Sequence, residues 1–176
     1  MAWPSRCGIA ELVYSYLSGL TLVASFGNFT VYEGEFEMLV KYIVGYIATG
    51  IAFAVIDSVW LRTMYTRLYQ PEIGELLMKG GFRMGPAIIF YLLYILGMMI
   101  FAVGPALLTG KWQTALIWGA LMGFFCYMTY DLTNYATLKV WSTKVTILDI
   151  IWGTFLTGSA SLAGFWITQA LLGKNV

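Results

Sequence analysis

Three aspartates, Asp57, Asp131 and Asp149, stand inside or at the ends of long apolar runs. An ionisable group at the centre of a bilayer costs at least about 2.5–3.5 kcal/mol on insertion scales, so each of them needs a physical reason. Ser58, Thr129, Tyr130, Thr133, Asn134, Tyr135 and Thr137 add hydroxyl and amide groups close by in sequence. Carboxylates clustered with such oxygens suit a proton, a hard cation or an amine headgroup better than an anion. Two carboxylates brought close together also raise one another's proton affinity. The expected site is therefore a polar pocket built from Asp57, Trp60, Tyr130, Asp131, Thr133, Asn134, Asp149 and Trp152. It assigns no catalytic residue and leaves a metal open.

Two of the acids share a local pattern. Asp57-Ser58-Val59-Trp60 and Asp149-Ile150-Ile151-Trp152 both read D-x-x-W, which puts acid and indole on one helical face. The pattern is short enough to arise by coincidence. An interfacial aromatic belt is the competing reading for Trp60, Trp112 and Trp141. The acids have a structural reading too: an Asp near a helix end can snorkel, cap backbone amides, or pair with Arg62, Lys139 or Lys144. Asp131-Leu132-Thr133-Asn134 resembles a helix break, so Asp131 is the expected cap. Asp57 and Asp149 lie about one and a half turns inside their basic flanks, beyond the reach of simple capping.

Composition narrows the chemistry. Of 176 residues, 60% are hydrophobic and only 11% charged, against about 45–50% and about 25% in globular domains. A net charge of +1 provides no basic field for a phosphate backbone, so nucleic acid is not an expected partner. The absence of His removes His-ligated haem, His-containing zinc sites and the Ser-His-Asp triad. Cys7 and Cys126 alone cannot build a four-thiolate centre. No cofactor is expected, although bound lipid is.

The elements that must position the acids are membrane helices. A bilayer core about 30 Å thick takes about 20 apolar helical residues to cross, and four stretches supply them: Tyr42 to Leu61, Ala87 to Leu108, Trp112 to Tyr130, and Val145 to Gly173. The predicted fold is an all-α integral membrane protein, a compact bundle of four transmembrane helices over residues 38–176. Pro105 to Gly110 reads as the exit of the second helix. Residues 62 to 86 read as a loop carrying a short interfacial helix from Gln70 to Met78. Arg62, Arg67, Lys79, Arg83, Lys139 and Lys144 fall in the first and third loops, against Lys41, Lys111 and Lys174 on the other side. Positive loops stay inside, so those two loops are expected in the cytoplasm and the C-terminus outside. All three aspartates then lie at one depth, facing the cytoplasm.

Residues 1–37 admit three readings. Leu12 to Tyr32 is uncharged but diluted by Ser, Thr, Asn and Gly, and would make a fifth, N-terminal hydrophobic span. It also resembles a signal segment with Arg6 as the basic region and a poor cleavage site. The third reading takes Met38 as the start, since Glu33-Gly34-Glu35 is encodable by a purine-rich ribosome-binding run.

Helices in lipid pack through small residues that allow close backbone approach. Gly119 and Gly123 form such a pair in the third helix, and Gly153, Thr157, Ser161 and Gly164 form a continuous small face on the fourth. Contact between those two helices is the favoured reading, with a dimer interface as the alternative.

Tyr130-Asp131-Leu132-Thr133-Asn134-Tyr135-Ala136-Thr137-Leu138, then Asp149 to Thr154, with Asp57 to Leu61 upstream, closely resemble the bacterial predicted membrane protein family named domain of unknown function 2177. The resemblance covers Met38 to the C-terminus and implies a four-span inner-membrane protein beginning near Met38. It implies no activity. Three functions compete: transport or binding at the aspartate pocket, acting as a homo-oligomer; an accessory or assembly subunit of a membrane complex; and, last, a lipid-modifying enzyme.

Overall fold

The computed structural model describes the backbone of residues 7–173 and the side chains of residues 36–173. Two compact units divide the chain, residues 1–40 and 41–176. The expectations for residues 1–37 fall mostly on residues 1–35, whose side chains lie outside the described ones.

Among the described residues every regular element is helical. Helix α1 is Cys7–Met64, followed by a π-helical turn Tyr65–Tyr69, a short α2 (Gln70–Ile73) and a 3-10 turn Gly74–Leu76. Helix α3 (Met84–Met98) passes through a second π-helical turn, Met99–Val103, into α4 (Gly104–Thr109). Helices α5 (Trp112–Thr137) and α6 (Thr143–Leu172) complete the chain. Among the described residues four helical stretches are long and apolar enough to cross a membrane: Phe36–Leu76, Met84–Thr109, Trp112–Thr137 and Thr143–Leu172.

Two expected boundaries are corrected and one is met. The first helical stretch does not stop at Leu61 but runs on to Leu76, because the π-helical turn at Tyr65–Tyr69 absorbs a change of register without breaking the backbone ladder. The second stretch ends inside the expected Pro105 to Gly110 exit: Pro105 falls in the first turn of α4, where its missing N–H costs least, and the stop is Gly110 at φ +67, a left-handed position that favours glycine. The third helix continues from Tyr130 to Thr137, so Asp131 lies within a helix and caps nothing.

Each helix sorts its side chains by fours. On α1, Gly45, Thr49, Phe53 and Asp57 are buried, while Ile43, Ile47, Ile51, Val55 and Val59 are exposed, as a lipid-facing stripe requires. On α5 the buried positions are Ala115, Gly119, Gly123 and Asp131. On α6 they include Asp149, Gly153, Thr157, Ser161 and Gly164. The expected small-residue faces are thus inside the bundle, and the aspartates continue the same stripes.

Along this seam the backbones come close together. A Cβ on Gly119 would stand 2.5 Å from Ser161 Oγ and 3.0 Å from the Thr157 carbonyl oxygen. One on Gly123 would strike the Gly153 carbonyl oxygen, and one on Gly153 would strike the Tyr127 ring. Gly164 faces Thr49 of α1, where a Cβ would lie 3.1 Å from the Thr49 Cα. Such contacts supply the dispersion energy that hydrophobic sorting cannot supply in lipid.

One tie joins the two connections at the same end of the bundle. Ser142 caps α6, its Oγ accepting from the Lys144 and Val145 amides at 3.2 and 3.4 Å. The same hydroxyl donates to Glu72 Oε2 at 2.6 Å, and Lys144 pairs with Glu72 Oε1 at 3.4 Å.

Candidate functional site

The buried stripes decide which polar groups meet. Asp57, facing inward on α1, is 6% exposed; Asp149, near the start of α6, is 8% exposed; Asp131, on α5, is wholly buried. Their settings differ.

Asp57 receives two donors. The Tyr91 hydroxyl of α3 donates to its Oδ2 at 2.6 Å, and Trp152 Nε1 of α6 donates to Oδ1 at 3.4 Å. Asp149 receives the Tyr69 hydroxyl on Oδ1 at 2.7 Å, and Trp60 Nε1 in turn donates to that hydroxyl oxygen at 2.9 Å. The two D-x-x-W segments therefore cross over. The tryptophan beside Asp149 in sequence serves Asp57, and the tryptophan beside Asp57 serves Asp149 through Tyr69. Because the two helices run in opposite directions, the indoles overlap and stack, with ring centroids 4.2 Å apart and planes 8° from parallel. Stacking of this kind is worth about 0.5–1.5 kcal/mol beyond the area buried.

This arrangement corrects the belt reading for Trp60. Its ring is half-buried against Trp152 and the apolar cluster of Leu68, Ile73 and Val145. Trp141 packs on the same cluster and donates to Thr146 Oγ1 at 3.1 Å. Trp112, 40% exposed at the start of α5, is compatible with a belt position. A second cluster of Phe53, Tyr94, Met98, Leu156 and Ala160 packs against Tyr91 and Trp152. The paired indoles and the two aspartates thus lie between two apolar clusters.

Asp131 has no such donors. Neither of its carboxylate oxygens has a hydrogen-bond partner, although both are buried. Asp149 is near enough to act on it electrostatically, as Asp57 is on Asp149. Among the described residues the one ion pair is the exposed Lys144–Glu72 contact, so no basic side chain neutralises any of the three aspartates.

The remaining expected site residues are placed differently. Tyr130 is 61% exposed and meets Trp141 edge to face. Thr133 is exposed and its hydroxyl donates to the Thr129 and Tyr130 carbonyls of its own helix. Asn134 is half-buried. In a continuous helix successive residues are turned by about 100°, so Tyr130 and Thr133 do not follow Asp131 inward. Of the expected set, the structure brings together Asp57, Trp60, Asp149 and Trp152, with Asp131 near Asp149.

The residues that sequence reasoning missed are the tyrosines. Tyr69 and Tyr91 bond the carboxylates directly, and Tyr94 bonds Thr157 Oγ1 at 2.9 Å. Tyr91 and Tyr94, three apart in an otherwise uncharged span, carried a usable signal. Tyr69 carried none, because the π-helical turn that aims it breaks the α-helical period.

A groove of about 890 Å³ opens at the end of the bundle that holds residues 77–83, lined in part by Arg62, Tyr65, Leu77, Phe82 and Arg83. None of the three aspartates lines it. Among the described residues no three Asp, Glu, Cys or His side chains stand close enough to share a metal ion. The aspartate layer thus presents three buried carboxylates, two of them accepting from tyrosine hydroxyls, and among the described residues no three-ligand chelate.

A family model described as a predicted membrane protein, domain of unknown function 2177, matches residues 42–166. No curated protein and no solved structure matches the chain.

Proposed function

The chain belongs to the predicted membrane protein family DUF2177, and we propose that this multi-pass member handles protons at a layer formed by Asp57, Asp131 and Asp149. One observation carries the reading: Asp131 is fully enclosed, both of its oxygens lack a donor, and no cation faces it among the described residues. An isolated charge in that setting is prohibitively costly, so the group calls for a proton or a cation. The lack of a three-ligand cluster favours the proton. Asp149 and Asp57, hydrogen-bonded to Tyr69 and Tyr91, add two further buried carboxylates, Asp149 close enough to act electrostatically on Asp131 and Asp57 on Asp149.

From the lysine and arginine distribution we further propose a bacterial inner membrane location, with the arginine-bearing connection on the cytoplasmic side and the C-terminus in the periplasm. Lipid covers its exposed apolar faces. The accessory-subunit alternative loses its proposed glycine docking surface, because Gly119, Gly123, Gly153 and Gly164 are occupied within the chain.

The test is infrared difference spectroscopy of the protein in lipid nanodiscs during a pH titration, with proteoliposomes carrying a pH-sensitive dye alongside. Wild type is expected to show a protonated-carboxyl band that vanishes in Asp131→Asn, and to dissipate an imposed pH gradient faster than the Asp131→Asn and Asp149→Asn variants. Identical carboxyl spectra and identical gradients in all three proteins would sink the reading.

A further inference from the structure

The groove at the loop end of the bundle has a chemistry separate from the aspartate layer. Its walls are the last turn of α1, the turn after it, and the non-helical chain leading into α3. Two positive side chains, Arg62 and Arg83, line it, and no acidic residue does. Neither arginine has an ion-pair partner among the described residues. The rest of the lining is apolar apart from Tyr65, with Leu61, Leu77 and Phe82 prominent. Gly80 and Gly81, at φ +101 and +120, hold the chain in left-handed conformations that lead it around the groove.

Position adds a second constraint. Arg62 directly follows the apolar run Tyr42 to Leu61, which at about 20 residues has the length that crosses a bilayer core, and Arg83 is the residue immediately before α3, so both are expected near headgroup depth. A cationic pair beside an otherwise largely apolar lining matches an anion with an attached hydrophobic tail. Guanidinium groups present planar forks that bind phosphate oxygens in pairs. Basic pockets between spans on the cytoplasmic side select anionic headgroups.

We propose that this groove binds one anionic phospholipid, its phosphate held between Arg62 and Arg83 and an acyl chain laid along Leu61, Leu77 and Phe82. The site is independent of the proton reading, since none of its residues belongs to the aspartate layer.

The experiment is native mass spectrometry of the full chain released from nanodiscs containing equal amounts of phosphatidylglycerol and phosphatidylcholine. Wild type is expected to retain a single phosphatidylglycerol at least about fivefold over phosphatidylcholine, and the Arg62→Gln/Arg83→Gln variant to retain both lipids equally. Arg62→Lys/Arg83→Lys keeps the charge but not the fork, and should fall between them. Circular dichroism of each variant checks folding. Equal retention by wild type, or an unchanged preference in the folded glutamine variant, overturns the proposal. Loss of the preference on adding inorganic phosphate, with no effect of a single-chain lipid lacking a headgroup charge, would also overturn the acyl-chain part by reducing the site to a phosphate subsite.

Discussion

The seam between α5 and α6 and the aspartate layer lie on the same helical stripes, yet they are held together by opposite means. In the seam, Gly119, Gly123 and Gly153 contribute the absence of a side chain, and stability comes from backbone approach. One or two turns further along, the same stripes carry Asp131 and Asp149, and the order there depends on donors reaching in from other helices. Shape complementarity holds the small-residue faces even though the Thr49 and Ser161 hydroxyl oxygens are buried there without a partner. A polar layer is sound only where each acceptor finds a partner, and Asp131 finds none. The seam therefore fixes the geometry, and the layer beside it can tolerate a group that is out of balance.

The comparison is most sharply broken at Gly123. Alanine there would drive a Cβ into the Gly153 carbonyl oxygen, a backbone atom that cannot swing aside. We expect Gly123→Ala to cost about 3 kcal/mol and to cut the folded yield several-fold by fluorescence-detected size exclusion. Gly85→Ala, at a position with open space around it, should leave the yield unchanged. Equal behaviour of the two would mean that the seam does not depend on close approach.

An intermediate effect is expected at Tyr69. Tyr69→Phe removes the donor to Asp149 and the acceptor for Trp60 together, and should lower stability by about 1–3 kcal/mol. In combination with Asp149→Asn the loss should be less than the sum of the single changes. Additive losses in thermal unfolding would separate Tyr69 from Asp149. The smallest effect belongs to Ser142, outside both regions. Ser142→Ala removes a helix cap and should cost about 1 kcal/mol, with no change in the proton signal of the aspartate layer.

Hydropathy and small-residue spacing were enough to read the four spans and the seam from the sequence, because lipid imposes both strongly. The ends of the spans were less legible. The Asp131–Asn134 stretch is a usual helix-breaking signal, overridden here by burial, whereas the exit at Pro105 to Gly110 was legible, with Gly110 as the stop. Within the layer, the inward direction of Asp57 and Asp149 follows from fourfold spacing. Their tyrosine donors do not follow from it, since a tyrosine in an apolar helix reads equally as lipid-facing or interfacial. The D-x-x-W pair shows the remaining gap: the repeat was visible, but its crossed wiring depends on two antiparallel helices meeting at one height.

The π-helical turn at Tyr65–Tyr69 makes that wiring a matter of rotational phase. It lodges one residue more than an α turn would, so everything beyond it is rotated by about 100° relative to an uninterrupted α-helix. Leu68 and Ile73 reach the interior, and Tyr69 reaches Asp149, in this phase. Removing a single residue from the turn would leave composition and hydropathy almost untouched while turning Tyr69 away from its aspartate. The helix thus carries a setting, like the timing of a cam, that depends on length alone.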